Sequence, residues 1–307
     1  MRRAAAWGEG APQAERLERG EGPPRLNKTV KVLVTGARGQ LAGAIIEAYR
    51  DGAQVLAYSR EVLDIADFDA VMSRVQADRP DVIINCAAYN DVEGAEVEAD
   101  KALTANAFAV RVLTRAAQEI GGTLVHYSTD FVFDGTATRP YVEEDVPNPQ
   151  SAYAQSKLLG EWFALEAPRA FVLRVESLFG GSNAKSSIDR LAQAIAEGRE
   201  AKVFRDRIVS PSYVVDVAAA TKALVARGEP GLYHCVGTGH ANWHEVGLEI
   251  ARVMGKASNA RLRPVSVADV SLRASRPQFA ALANHKLSRV APLPTWQDAL
   301  RRYLSSR

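Results

Sequence analysis

The chain has 307 residues, 47% of them hydrophobic and 24% charged, an ordinary balance for a globular protein with one large domain or a domain and an appendage. Its 38 basic and 36 acidic residues leave a formal charge of +2, which gives no reason to expect nucleic acid or an anionic membrane as partner. No stretch approaches the roughly 20 consecutive apolar residues of a membrane span. Cys86 and Cys235 lie far apart in apolar runs and read as buried thiols in a reducing, cytoplasmic compartment.

Residues 1–28 are rich in Ala, Gly, Glu, Arg and Pro and nearly free of large apolar side chains, so a disordered tail is expected there. The pattern then alternates. VKVLVTG (30–36) is a β-rich run ending in glycine, and QLAGAIIEAYRDG (40–52) follows with helical spacing. QVLAYS (54–59) reads as a strand, and 67–80 as a helix stopped by Pro80. DVIINCAA (81–88) is a third strand, followed by one long helix over 99–121. GTLVHYST (122–129), a helix over 151–167 and AFVLRVES (170–177) complete the run. Strands bounded by Gly or Pro and separated by helices of ten or more residues predict βαβ units. The expected fold is therefore α/β: a doubly wound parallel (Rossmann) sheet covered on both faces.

Beyond residue 178 the rhythm loosens. Helices are expected at 186–198, 214–228, 242–255 and 295–307, with one strand at 231–237. These features predict a nucleotide-binding domain over 29–177 and a smaller, less regular substrate lobe over 178–307. A segment near 208–238 would return to the main sheet.

VTGARGQLAG places Gly36 and Gly39 between the first strand and first helix, spaced Gly-x-x-Gly-x-x-Ala. Glycine there permits a tight turn and lets backbone amides approach a pyrophosphate at the positive helix end. Gly36, Arg38, Gly39, Gln40 and Leu41 are the expected loop contacts. The second strand ends in Ser59 and Arg60, where an NAD site usually carries an acidic residue. Arg38 and Arg60 together would suit a 2′-phosphate, so NADPH is expected in preference to NADH, with NADH left open.

Tyr153 and Lys157 are four apart on a predicted helix and so share a face. A nearby ammonium lowers a phenol's pKa toward the working range, which would equip Tyr153 for carbonyl and alcohol chemistry. Ser128 and Thr129 end the fourth strand, at the edge where ligands of open α/β sheets bind. Hydroxyls, phenol and amine can then converge on one carbonyl.

The motifs TGARGQLA, NCAAYNDVEGAE, STDFVFDG, YVEEDVPNPQSAYAQSKLLGE, GLYHCVGTGHANWHEV and ASRPQFAALANHKL run in order from about residue 31 onward. Together they resemble the extended short-chain dehydrogenase/reductases, and within them the dTDP-4-dehydrorhamnose reductase family. The resemblance implies a Thr129, Tyr153 and Lys157 triad that reduces the C4 ketone of a nucleotide-linked deoxysugar. Asp64 and Ile65 would lie near the adenine, Ala87, Ala88 and Tyr89 would line the cofactor trough, and Asn106 would support the site. A homodimer is the family's habit. Nucleotide-sugar dehydratases resemble the same segment but carry Thr-Asp-Glu, and Phe131 stands in place of that glutamate.

Two departures bear on the substrate. Where the family has Arg-Thr-Ser-Trp after the fifth strand, this chain reads Arg174, Val175, Glu176, Ser177, and VSPS (209–212) replaces a GxPT pattern. Glu176 and Ser177 are therefore expected to shape the sugar site beside Ser128 and Thr129. Arg207 and Arg276 are candidates for the nucleotide diphosphate, because guanidinium groups pair well with phosphate oxygens. Trp243 and His244 read better as packing and capping residues. The five histidines show no metal-ligand spacing, so no metal is expected. The alternatives carried alongside are a non-catalytic NADP-binding subunit, like the regulatory subunit of methionine adenosyltransferase, and a nucleotide-sugar epimerase.

Overall fold

Short apolar runs dominate the first half of the chain, and in the computed structural model, which describes residues 29–181 and 185–307, they form the centre of the molecule. The expected tail at 1–28 lies outside the described residues. Strands β1 (Val30–Thr35), β2 (Ala53–Tyr58), β3 (Val82–Asn85), β4 (Thr123–Thr129) and β5 (Ala170–Val175) alternate with helices α1 (Gln40–Tyr49), α2 (Phe68–Asp78), α3 (Ala99–Leu103), α4 (Ala109–Ile120) and α5 (Ala152–Leu165). There follow β6 (Leu178–Phe179), α6 (Ser187–Ala196), β7 (Ala201–Phe204), β8 (Ile208–Val209), β9 (Ser212–Tyr213) and α7 (Val214–Arg227). The chain ends with β10 (Gly231–His234), β11 (Ala241–Asn242), α8 (Trp243–Val253), β12 (Leu262–Val265), α9 (His285–Ser288) and α10 (Trp296–Ser305).

Six strands pair in parallel in the order β10-β5-β4-β3-β1-β2. Every residue of β3, β4 and β5 is buried, as a sheet covered on both faces requires. One face packs against α1 and α7 through Ile45, Val217 and Leu224. The other packs against α2, α4 and α5 through Val71, Leu113 and Ala164. Strand order reverses between β1 and β3, which opens a crevice at their carboxyl ends, the usual ligand position in such sheets.

A second core forms where α6, α8 and α10 enclose Ile188, Val246, Ile250, Leu300 and Tyr303. Small pairings tie this part together: β7 with β12, β8 with β11, and β6 with β9. The segment from Ile208 to His234 therefore serves both halves, because α7 covers the main sheet and β10 extends it. Among the described residues no helix is long and apolar enough to cross a membrane.

The long helix expected over 99–121 is interrupted. Residues Thr104–Phe108 form a π turn between α3 and α4. The cause is tertiary: Asn106 Oδ1 accepts from the Tyr89 amide at 2.9 Å, while Nδ2 donates to the Tyr89 carbonyl and to Ser156 Oγ, both at 3.0 Å. A π turn widens the helix enough to aim one side chain sideways. Helix α5 lies so close to this turn that a Cβ on Gly160 would meet the Asn106 carbonyl oxygen at 2.1 Å, so only glycine fits.

Candidate active site

The loop after β1 turns at Gly36, whose φ of +65° is the left-handed region that favours glycine. A Cβ there would stand 2.8 Å from the backbone of Ala87, just past β3, so the two loops at the switch point are in contact. Gly39 donates to the Gly36 carbonyl at 2.8 Å and precedes α1 without any side-chain cap, leaving the first-turn amides of that helix open to an anion.

Two adjoining cavities follow this edge of the sheet. One, of about 540 Å³, is lined by Gly36, Gly39, Arg60, Asp64, Ile65 and the 86–90 segment, including Ala87, Ala88 and Tyr89. The other, of about 340 Å³, shares Gly39, Ala87 and Ala88. Its further walls are Gln40, Leu41, Ser128, Thr129, Asp130, Phe131, Tyr153, Lys157, Glu176 and Ser177. A trough bordered by a glycine turn, an uncapped helix end and the apolar Ile65 fits a dinucleotide. The Cβ-free approach of Gly36 to Ala87 is the observation that supports that fit.

Not every expected contact reaches the trough. Arg38 forms an ion pair with Glu61 on the exposed side of the loop, and Ser59 turns its hydroxyl to the same carboxylate. Neither is among the residues lining these two cavities, whereas Arg60 is. That guanidinium bonds Asp64 at 3.0 Å. The Ala66 amide and then Arg60 hold the Asp64 carboxyl below its usual range.

Helix α5 begins at Ser151, whose hydroxyl accepts from the Ala154 amide at 3.3 Å. Tyr153 and Lys157 fall in its first turns and both are buried. The phenol pKa is not depressed, as the helix spacing led one to expect, but raised. Burial, followed by the charge of Asp130, raises the Tyr153 pKa, and a hydrogen bond with Thr129 opposes them only in part. Lys157 donates its Nζ proton to the Tyr127 carbonyl at 2.6 Å. Its own pKa falls to about 8 through burial, with Glu161 pulling the other way. Desolvation therefore outweighs pairing at both residues.

Three ionisable groups stand behind the triad, and the sequence pattern did not connect them. Asp130 accepts from the Thr129 hydroxyl at 2.9 Å through Oδ1, while Oδ2 lacks a partner among the described residues. Burial raises its carboxyl to about 6, against the pull of Arg207. Glu176 is buried and raised well above the carboxylate range by burial and then by Asp130. Arg207 lies 5.4 Å over the Phe131 ring, and that ring meets Tyr153 edge-on with centroids 5.7 Å apart. Phe131 thus separates the guanidinium from the phenol. The only sign of Asp130 in the sequence was its place in the Ser-Thr-Asp triplet.

Arg207 also borders a third cavity, of about 420 Å³, with Arg190, Lys202, Phe204, Trp243 and Arg276. Arg276 bonds Glu93 at 2.8 Å, and Glu93 also accepts from the Arg273 and Ala274 amides, fastening this loop to the segment after β3. Trp243 opens α8 behind the Asn242 cap and packs against the second core, with one side on this cavity.

Residues 30–307 match the family model of the RmlD substrate binding domain. The chain is 35% identical over 282 residues to a dTDP-4-dehydrorhamnose reductase of Mycobacterium tuberculosis, covering 89% of this chain and 92% of the relative. It is 34% identical over 280 residues to a dTDP-4-keto-6-deoxy-D-glucose reductase of Streptomyces niveus, covering 89% and 96%. The solved dTDP-4-dehydrorhamnose reductase of Bacillus anthracis, in complex with NADP, superposes with a TM-score of 0.87 at 31% identity, covering 91% of this chain and 100% of that one. A chain whose fold, trough and full described length agree with these proteins belongs to the dTDP-4-dehydrorhamnose reductase family.

Proposed function

We propose that the protein is an NADPH-dependent reductase acting on the C4 ketone of a nucleotide-linked deoxysugar, dTDP-4-dehydrorhamnose or a close relative. The observation that carries this reading is the gathering of Thr129, Tyr153 and Lys157 on one cavity wall, at the carboxyl edge of the sheet and continuous with the glycine-turn trough.

NADPH, when bound, supplies the hydride that reaches the sugar C4. Gly36, Gly39, Gln40 and Leu41 would hold its pyrophosphate, Asp64 and Ile65 its adenosine, and Ala87, Ala88 and Tyr89 the inner wall. Arg60, on the trough's wall, would meet a 2′-phosphate. The Thr129 hydroxyl would turn from Asp130 Oδ1 to orient the ketone oxygen, and Tyr153 gives that oxygen its phenolic proton, so that the carbonyl becomes an alcohol. General acid help of this kind is typically worth about 10² to 10⁴ in rate. A raised phenol pKa keeps the proton on Tyr153 until the ketone arrives. Lys157 would hold the nicotinamide ribose and supply the positive charge that stabilises the phenolate left behind. Ser128, buried with its Oγ unpartnered among the described residues, is a further donor for the sugar. Arg207 and Arg276, with Arg190 and Lys202 on the third cavity, suit the nucleotide diphosphate.

The two free thiols support a cytoplasmic setting. The complete triad argues against a purely cofactor-binding subunit, which has no use for Tyr153.

The test is oxidation of NADPH, followed by its absorbance, with dTDP-4-dehydrorhamnose and a Tyr153→Phe control. Turnover that the control lowers at least 10²-fold, while NADPH binding stays within a few-fold, is expected. Silence with every 4-keto nucleotide sugar despite NADPH binding would leave a binding subunit instead.

A further inference from the structure

One buried group on the triad's cavity has no part in the proton transfer or in holding the cofactor. Glu176 is the first residue after β5. Its Oε2 accepts the Ser210 amide at 2.7 Å, whereas Oε1 has no partner among the described residues. The next residue, Ser177, holds a φ of +44°, uncommon for a residue other than glycine, and this turn sets both side chains on the wall shared with Thr129 and Tyr153. Strained backbone of this kind persists where surrounding structure enforces it, and it concentrates at ligand sites. Asp130 Oδ2 and Arg207 Nε, from the two groups that act electrostatically on Glu176, are also unpartnered among the described residues. Buried polar atoms almost always find partners, so the free oxygens of Glu176 and Asp130, two residues that line this cavity, point to a hydroxylated ligand.

We propose that Glu176 is a specificity-determining residue of this protein: its free carboxyl oxygen hydrogen-bonds the hydroxyl on the ring carbon beside the reacting ketone, and so selects 4-keto sugars that carry that hydroxyl. The proposal rests on the ketoreductase reading above. Thr129 and Tyr153 address the ketone oxygen, so a polar group on the same wall meets the neighbouring substituent. Burial and the adjacent Asp130 favour the neutral carboxyl, which can both give and accept a hydrogen bond, as a hydroxyl can. An ammonium substituent would instead call for a carboxylate. A site built to bond a hydroxyl rejects the analogue lacking it far more strongly than an apolar pocket can, because its own polar groups are left unpaired.

The experiment compares kcat/KM for NADPH oxidation with dTDP-4-dehydrorhamnose and with its 3-deoxy analogue. Wild type should favour the hydroxylated sugar by about 10²-fold or more. Glu176→Gln keeps that ratio within a few-fold, because its amide oxygen can hold Ser210 while its NH₂ meets the sugar. Glu176→Leu brings the ratio close to one. Glu176→Asp, which is too short to span from Ser210 to the cavity, lowers it at least tenfold, and this variant carries the test if the leucine protein does not fold. NADPH binding and thermal unfolding report folding in each variant. A wild-type ratio near one overturns the proposal, as does a ratio unchanged in the Leu or Asp variant or a preference for a 3-amino sugar that Glu176→Gln abolishes. No oxidation by wild type with any 4-keto nucleotide sugar overturns the ketoreductase reading and this proposal with it. Oxidation with an unaltered ratio overturns the proposal alone.

Discussion

Lys157 donates from Nζ to the carbonyl oxygen of Tyr127 at 2.6 Å, fastening the second turn of α5 to strand β4. The same burial that makes this contact possible draws the ammonium pKa down to about 8. A base with a lowered pKa is charged below that value and neutral above it. NADPH affinity should therefore weaken as pH rises through about 8, by about fivefold between pH 7 and 9 for a charge contribution near 1.4 kcal/mol. Fluorescence titration across that range checks this, and Lys157→Met should bind more weakly at pH 7 and show no inflection there. A wild-type profile as flat as that of the variant would remove Lys157 from cofactor binding.

Arg174 and Glu161 form a two-pronged ion pair, with both hydrogen bonds at 2.8 Å and both side chains 2% exposed. The Arg174 guanidinium also lies 4.9 Å over the ring of Phe133. Removing one partner leaves the other charge buried and uncompensated, so Glu161→Leu should cost about 3–5 kcal/mol of stability in urea unfolding. The double variant Glu161→Leu, Arg174→Met should recover most of that loss. A single variant within about 1 kcal/mol of wild type would contradict this account.

Two glycines near the cofactor loop should respond to alanine in opposite directions. Gly36 sits at a positive φ with backbone 2.8 Å from any added Cβ, so Gly36→Ala should lower NADPH affinity at least tenfold and reduce the unfolding midpoint. Gly43 is exposed within α1 with open space around it, so Gly43→Ala should stabilise by roughly 0.5–1 kcal/mol. Thermal unfolding and cofactor titration of the two variants side by side decide the matter.

His234 is held neutral. Nδ1 lies 3.1 Å from the carbonyl oxygens of Tyr141 and Ala283, to which it donates as the protonated ring nitrogen. Burial, then the Arg174 charge, pushes its pKa down to about 3. Between that value and the ordinary 6.5, the unfolded chain binds a proton that the folded chain refuses. The contribution of His234 is thus fully present above pH 6.5 and is lost as pH falls toward 3, by at most about 1.4 kcal/mol per unit. Wild type should lose stability more steeply than His234→Gln between pH 6.5 and 4.5, measured by denaturant unfolding. Equal slopes would sink the idea.

The alternation of short apolar runs with longer helical spacing determined the α/β class from the sequence by itself, because side-chain period is a local property of the backbone. Gly36 and the Tyr153/Lys157 spacing were legible for the same reason: a strand–glycine–helix pattern and two residues one helical turn apart are local signals. The π turn was not legible, because Asn106 finds its partners at Tyr89 and Ser156 only after the chain has folded. Nor was the pairing of Glu61 with both Arg38 and Ser59 legible, because it forms across the folded loop. Nor could spacing foretell that Asp130, Glu176 and Arg207 would share one buried corner, or that the Tyr153 phenol would be raised. Burial and the approach of distant charges set those properties. Desolvation and Coulomb energy depend on what surrounds a group in space, and only the tertiary structure decides that.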